Sequence, residues 1–223
     1  MTTLVRIAVA ALAALFLSSC GFDINIGDFT TGKKGNGKVV TETRDITEDF
    51  TEVSASEGLM VYVTQADDFN IEVEADENVI ELIATDIKNG KLRIHARENI
   101  GNATKKIRVS LPEVTALKSS SGSHLQGENM VQSDRLEVDG SSGALIQLEL
   151  TVNDLEIDAS SGANLSISGN ADHAEVNVSS GGNLKIQVSE ALTADASSGG
   201  NIGYSGNPKV QNKKSVSGSV HQY

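Results

Sequence analysis

Carboxylates are the side chains in this chain whose spacing could do chemistry. Glu137, Glu156 and Glu175 recur every 19 residues, and Asp139, Asp158 and Asn177 follow two positions behind them at the same interval. If that interval is one turn of a stacked fold, carboxylates on neighbouring turns stand about 5 Å apart, the separation at which a retaining glycosidase holds its acid and its nucleophile. The same spacing gathers oxygen donors for a divalent cation. Glu156, Asp158, Glu175 and Asn177 are the set calcium would take, since stacked like charges repel and a hard cation relieves the repulsion. A third reading needs no ligand: an outward acidic column keeps a long flat sheet soluble and stops it pairing with other sheets. The columns continue the repeat instead of breaking it with a unique Arg, His or Tyr. The solvated face therefore ranks first, the cation site second and catalysis last, and no catalytic residue or obligatory cofactor is assigned.

Other candidates carry less. His95, His124, His173 and His221 share no ligand spacing. Gly32 to Lys38 fits G-x-x-x-x-G-K, but Val39 stands where Ser or Thr should bind magnesium, and no strand-loop-helix unit surrounds it, so it is not read as a phosphate loop. The many serines lack the G-x-S-x-G context of a nucleophile.

These residues are positioned by a repeat. Ser-Ser-Gly or a close relative recurs at Gly122, Gly143, Gly162, Gly181, Gly199 and Gly218, at spacings of 21, 19, 19, 18 and 19. Three residues after the first five come Leu125, Ile146, Leu165, Leu184 and Ile202, and five after come Gly127, Leu148, Ile167, Ile186 and Tyr204. Seven before stand Leu136, Leu155, Ala174 and Leu192, and five before stand Val138, Ile157, Val176 and Ala194. Alternation with polar positions is the period of a strand with one buried face. A unit of about 19 residues cannot bury that face alone, but identical units can bury one another by stacking. The expected architecture is all-β: a parallel β-helix, with coils about 4.8 Å apart.

The corners have a structural explanation. Gly supplies the positive φ of a sharp bend, and the serines can satisfy backbone groups the bend leaves open. Asn164, Asn183 and Asn201, two residues after their glycines, are expected to stack as an amide ladder from coil to coil. Upstream the pattern loosens. Gly58 keeps Val61 and Val63 at the same offsets, strands are expected at 70–74, 91–96 and 106–111, and 77–86 has spacing that suits a short helix. The unit at 207–223 keeps Gly218 but places Gln211 and Lys213 in the apolar columns, which suits a terminal cap.

The whole chain is 223 residues with 18 Lys+Arg against 30 Asp+Glu, a net charge of -12. That length makes about one domain, and the charge repels phosphate backbones, which excludes nucleic acid as a partner. One Cys permits no internal disulfide. Aromatic residues are 4% with no Trp, which suits thin stacked layers of Leu, Ile, Val and Ala.

That one Cys has a chemical use. Residues 1–19 read as a signal peptide, with Arg6 ahead of an apolar run too short to span a bilayer. Leu17-Ser18-Ser19-Cys20 resembles the lipobox of bacterial lipoproteins, which implies lipidation of the Cys20 thiol and cleavage before it. Residues 20–44 then read as a flexible tether and 45–223 as one solenoid domain. The expected location is the cell envelope, lipid-anchored in the outer membrane of a Gram-negative bacterium.

The residues also resemble a family, the auto-transporter adhesin, head GIN domain proteins of bacterial envelopes. The resemblance runs from about Phe50 to Gly206. It rests on Phe50-Thr51-Glu52-Val53 leading to Gly58, Val61-Tyr62-Val63-Thr64-Gln65, Glu74-Ala75-Asp76-Glu77-Asn78, Asn89-Gly90-Lys91-Leu92, and the Ser-Ser-Gly-x-Asn rungs. It implies a secreted or lipid-anchored β-solenoid, adhesin-like by name, with no catalytic residues to carry over. The expectation is a non-enzymatic, lipid-anchored envelope protein that binds a glycan or a surface protein. Its rivals are a carbohydrate-active enzyme on the same fold and a purely structural envelope component.

Overall fold

The computed structural model describes residues 32–223, with the backbone alone for 211–215. Cys20 and the leader lie outside the described residues. The strands are β1 (Val39–Thr43), β2 (Glu52–Ala55), β3 (Met60–Gln65), β4 (Asn70–Asp76), β5 (Ile83–Lys88), β6 (Lys91–Ala96), β7 (Lys105–Leu111), β8 (Ala116–Ser119), β9 (His124–Gly140), β10 (Leu145–Ala159), β11 (Asn164–Val178), β12 (Asn183–Ser197), β13 (Asn201–Ser205), β14 (Lys209–Val216) and β15 (Ser219–Gln222). Among the described residues no helix is long and apolar enough to cross a membrane.

The expected parallel solenoid is present. β9, β10, β11 and β12 pair in parallel, with Leu125, Ile146, Leu165 and Leu184 aligned rung upon rung. Each long strand crosses two walls. In β10 burial alternates from Leu145 to Val152, slips by one where Asn153 and Asp154 are both exposed, and resumes at Leu155. A side-chain period of two allows such a slip only where the strand turns a corner. The first halves of the long strands, with β3, β7, β13 and β15, make the first wall. The second halves, with β2, β6, β8 and β14, make the second. The columns from both walls fill the interior, and Leu125, Leu136, Ile146 and Leu150 are at most 1% exposed.

The second wall returns to the first through the Ser-Ser-Gly corner. Both the second Ser and the Gly are left-handed: Ser142 and Gly143 have φ of 51° and 74°, Ser161 and Gly162 of 51° and 76°. Each of these corners is thus a type I′ turn, closed by N–H of Ala144 donating to the Ser141 carbonyl and of Ala163 to Ser160, both at 3.0 Å. The sequence reading placed only the Gly in this conformation. The corners also bond to one another, since the Gly143 N–H donates to the Ser161 carbonyl at 3.0 Å and the Gly162 N–H to Ser180 at 3.1 Å. Stacking the turns satisfies the backbone groups that each turn leaves open.

Irregular spacings have local causes. β9 is 17 residues where β10 is 15, and Gly127 to Asn129 bulge opposite Leu148 alone, which accounts for the 21-residue interval between Gly122 and Gly143. The bulge is pinned: the N–H of Gln65 donates to Asn129 Oδ1 at 3.0 Å, and Asn129 Nδ2 donates to the Gln65 carbonyl at 2.8 Å. Gly169 bulges β11, at φ 93°, with its α-carbon so close to β10 that a Cβ would lie 1.9 Å from the Leu150 carbonyl oxygen.

The last corner corrects the repeat column. The sequence reading set Gly218 beneath Gly199, but Asn201 pairs with Ser219, so Gly218 lies beneath Gly200 and Ser217 beneath Gly199. Conformation agrees: Gly199 is left-handed at φ 80°, as is Ser217 at 58°, while Gly218 has no positive φ. Gly218 is instead a position of close approach, where a Cβ would lie 2.6 Å from the Ala196 carbonyl carbon, much as one on Gly200 would lie 2.2 Å from the Val178 carbonyl oxygen. The cause is one residue fewer between corner and strand. Val220, two residues after Gly218, occupies the place that Ile202 takes three after Gly199.

Three further expectations are corrected at the margins. Of the tether predicted for 20–44, the residues from Gly32 onward belong to the domain instead, and 20–31 lie outside the described residues. β1 pairs antiparallel with β4, and Lys33 bridges Ile100. The carboxylate of Asp76, 2% exposed, accepts the N–H groups of Gly37 at 2.5 Å and Thr104 at 2.6 Å. Within the segment that imitates a phosphate loop, the Gly37 N–H therefore meets an acidic side chain of the same chain. The helix expected at 77–86 shrinks to one 3-10 turn, Ile80–Leu82, after which β5 pairs antiparallel with β6 through a left-handed Asn89-Gly90 hairpin. In the terminal unit, β15 still buries Val220 beneath Ile202, while register sets Lys213 of β14 opposite Ala194 of the apolar column.

Candidate binding faces

The two walls present different chemistry outward. Along the long strands the second-wall columns are Glu137, Glu156, Glu175 and Thr193, and Asp139, Asp158, Asn177 and Asp195, acidic but for Thr193 and Asn177, and they continue onto β8, β2 and β6 as Ala116, Glu52 and Lys91, and Lys118, Ser54 and Arg93. The predicted calcium set is brought together in this sense: Glu156 is opposite Glu175, and Asp158 opposite Asn177. Two of the column carboxylates, Glu137 and Glu156, are partnered by cations. Arg135 Nη2 donates to Glu156 Oε2 at 2.9 Å, and Lys118 bonds Glu137. Burial, then the neighbouring Asp158 and Glu137, raise the Asp139 carboxyl above the usual aspartate range, with Lys118 opposing them. Desolvation works against the charge on Lys118, but Glu137, Asp139 and Glu52 outweigh it and raise its pKa. Among the described residues no three His, Cys, Asp or Glu side chains converge as metal donors.

At the bend between the walls the surface dips. A cavity of about 340 Å³ is lined by Arg135, Asp154, Glu156, His173, Glu175 and Thr193 among others, and one of about 570 Å³ adjoins it across Arg135. His173 lies 3.8 Å from Asp154 and 3.6 Å from Glu190. His124 is on the first wall, and His95 pairs with Asp86 at 2.9 Å, so these three histidines do not form one site.

From β9 to β15 the first wall is poor in charge, whereas its β7 end carries Lys106 and Arg108 paired with Glu74 of β4. Two of its outward columns are His124, Leu145, Asn164, Asn183, Asn201 and Ser219, and Gln126, Gln147, Ser166, Lys185, Gly203 and His221, and the next carries Met130, Glu149 and Ser168. Asn164, Asn183 and Asn201 stack in register as expected, but Asn164 and Asn183 bond within their own turns: Nδ2 of Asn164 donates to the Gly162 carbonyl at 3.1 Å and Nδ2 of Asn183 to Gly181 at 3.2 Å. The remaining amide groups are thereby held in one orientation. His124 Nε2 meets Gln147 Oε1 at 3.3 Å. Aromatic rings mark both ends of the wall. Arg108 sits 5.8 Å above the Tyr62 ring, and Tyr223, 64% exposed, leans on Gly203, where a Cβ would approach its ring at 3.3 Å. The sequence reading passed over Tyr62, Tyr223 and the Gln126–Gln147 column. Tyr62 and Gln147 show in the sequence only as positions between two apolar ones, and Tyr223 lacks even that signal.

Comparisons with known proteins agree with this architecture. A family model described as "Putative auto-transporter adhesin, head GIN domain" matches residues 49–187 and 170–208. No curated protein matches. Among solved structures, a putative adhesin of Bacteroides fragilis has a TM-score of 0.70 at 19% identity, covering 86% of this chain and 100% of that one. A putative adhesin of Parabacteroides merdae has 0.63 at 22%, covering 85% and 98%. A protein of Parabacteroides distasonis named as a putative lipid binding protein has 0.61 at 19%, covering 86% and 98%. At these identities the likeness shows a shared fold. With the family model spanning most of the solenoid, the chain belongs to the auto-transporter adhesin, head GIN domain family.

Proposed function

We propose that this protein is a non-enzymatic binding module of the bacterial envelope, lipid-anchored through Cys20 and holding an extended partner against its solenoid. The observation that carries the reading is the continuous first wall, whose strands pair one after another from β7 through β3 and the long strands to β15, with bulges at Gly127–Asn129 and Gly169. Such a surface suits a long partner better than a small substrate, for which an enclosed pocket is the usual site. Family membership supports an adhesin-like role, and the resemblance of Leu17-Ser18-Ser19-Cys20 to a lipobox supports the anchor and an outer-membrane location. The lipid-binding name of one neighbour does not redirect the reading, because the interior here is filled by packed columns such as Ile146, Leu165 and Leu184.

The test uses the full chain. It should sediment with membranes, Cys20→Ala should release it to the soluble fraction, and isolated envelope preparations should retain it saturably without releasing reducing sugar. Membrane retention of Cys20→Ala would overturn the anchor. Release of reducing sugar would install the enzymatic alternative, and failure to bind any envelope preparation would leave a purely structural role.

A further inference from the structure

The geometry points to the first wall as the surface that carries this binding, with an uncharged linear polysaccharide as its ligand. The inference rests on the binding reading above and adds the face and the ligand class. Charge distribution decides between the walls. Along the long strands the second wall concentrates carboxylates, while the exposed positions of the first, from β9 to β15, carry only Glu128, Glu149 and Lys185 as Asp, Glu, Lys or Arg side chains. A polyanionic ligand would meet the repulsion of a body of net charge -12. An uncharged one avoids both that repulsion and the cost of stripping water from ions.

The side chains fit a polymer of hydroxyls. Asn and Gln amides and Ser hydroxyls each donate and accept, as does every sugar hydroxyl. The register repeats an amide about every 4.8 Å along the axis, at Asn164, Asn183 and Asn201 in one column and at Gln126 and Gln147 in the other, so a chain of repeating sugars lying along it meets the same group on successive rungs there. Asn164 and Asn183 are pinned by their own turns, so binding gives up little rotamer freedom there. Tyr223, 64% exposed, puts a ring at the β15 end, where the apolar C–H face of a sugar stacks, and Leu145, 38% exposed, adds a further apolar contact. A protein partner would call for the reverse layout, because protein interfaces place aromatic, Met and Arg side chains at the centre and polar ones at the rim.

The full chain in detergent is tested for retention on insoluble cellulose, chitin and β-1,3-glucan, with a polygalacturonate gel as the charged comparator. At least one neutral polymer should retain the wild type and polygalacturonate should not. Asn183→Arg and Gln147→Arg, both at exposed positions, should each cut retention about tenfold, as expected from losing one or two ligand hydrogen bonds. Circular-dichroism melts verify that each variant folds. The double variant Glu156→Gln, Asp158→Asn on the second wall should bind as wild type. Equal retention on polygalacturonate, or retention indifferent to both first-wall variants, overturns the inference. If envelope preparations hold the wild type and Asn183→Arg alike while no neutral polymer does, the ligand and face are wrong and the general binding reading stands. If neither retains the protein, both fail. A wild-type dimer in sedimentation that Asn183→Arg dissolves would assign the wall to a second copy instead.

Discussion

The carboxylate of Asp76 fills the space that a side chain at Gly35 would need: a Cβ there would lie 2.5 Å from Asp76 Oδ2. The Gly-rich segment at 32–38 is therefore closed around a specific acid, and the first prediction concerns that closure. Gly35→Ala should destabilise the protein by displacing the carboxylate. Asp76→Ala should cost about 2–3 kcal/mol by orphaning the N–H groups of Gly37 and Thr104. Hydrogen exchange should show β1 protected in the wild type and opened in both variants. Protection that persists would mean the segment is held by β1–β4 pairing alone.

Two glycines of the repeat should behave differently. Gly162 has φ 76° with nothing within 4 Å of where a Cβ would stand, so Gly162→Ala should cost only the conformational penalty of about 1–2 kcal/mol. Gly169→Ala would drive a Cβ into the Leu150 carbonyl at 1.9 Å, and should cost several times more or prevent folding. Chemical denaturation of the two variants compares them directly, and equal losses would contradict the close approach at the β11 bulge.

The inward columns give a third test. Ile146 is fully buried between Leu125 and Leu165. Ile146→Asp places an unpaired carboxylate in that stack at a cost of several kcal/mol, and the variant should lose its cooperative melt, whereas Gln147→Asp, one residue away and exposed, should melt close to wild type.

Acid sensitivity should come from the end of the first wall. Hydrogen bonds from Lys106 at 3.0 Å and Arg108 at 3.1 Å lower the Glu74 pKa, with desolvation opposing them. A carboxyl depressed in the folded state contributes stability above its unfolded pKa and loses it as pH falls through the folded value. The melting temperature should thus fall on acidification below about pH 5, and Glu74→Gln should flatten that fall. Asp139, whose pKa is raised by burial, has the opposite sign: the folded state takes up its proton first, so Asp139→Asn should steepen the acid loss.

Because Arg135 already engages Glu156 and no three acidic or histidine donors converge among the described residues, calcium and sodium should raise the melting temperature equally at matched ionic strength. An increment specific to calcium, lost in Glu156→Gln with Asp158→Asn, would restore the cation reading through mass action on the folded state.

What the sequence made legible was whatever repeats locally. The offsets of Leu125, Ile146 and Leu165 from their glycines fix strand, corner and inward face, because a period of two and a sharp turn leave traces within one unit. Gly58 with Val61 and Val63 shows that two further matches suffice upstream, and Val61 does lie beside Leu125. The same rule misled at the last corner, where Ser217-Gly218 looks like Ser198-Gly199 but sits one place further along the turn. The closure of 32–38 was hidden because its partner Asp76 is about 40 residues away, and by composition alone Gly and Lys read as linker. The bend at Asn153 and Asp154 appears in sequence only as a one-residue slip in the alternation. The contrast between the walls was hidden too. Gln126 and Glu137 both count as polar, and only the register shows that one column gathers amides while the other gathers acids.

β10, β11 and β12 are each 15 residues long and are joined by the same turn. A coding segment of one such unit could be duplicated or deleted with each inward side chain and turn carbonyl finding an equivalent neighbour, as in other stacked repeats. The molecule's length is then quantised: it changes in whole coils of about 4.8 Å, and selection can adjust how far the protein reaches without touching the chemistry of any single rung.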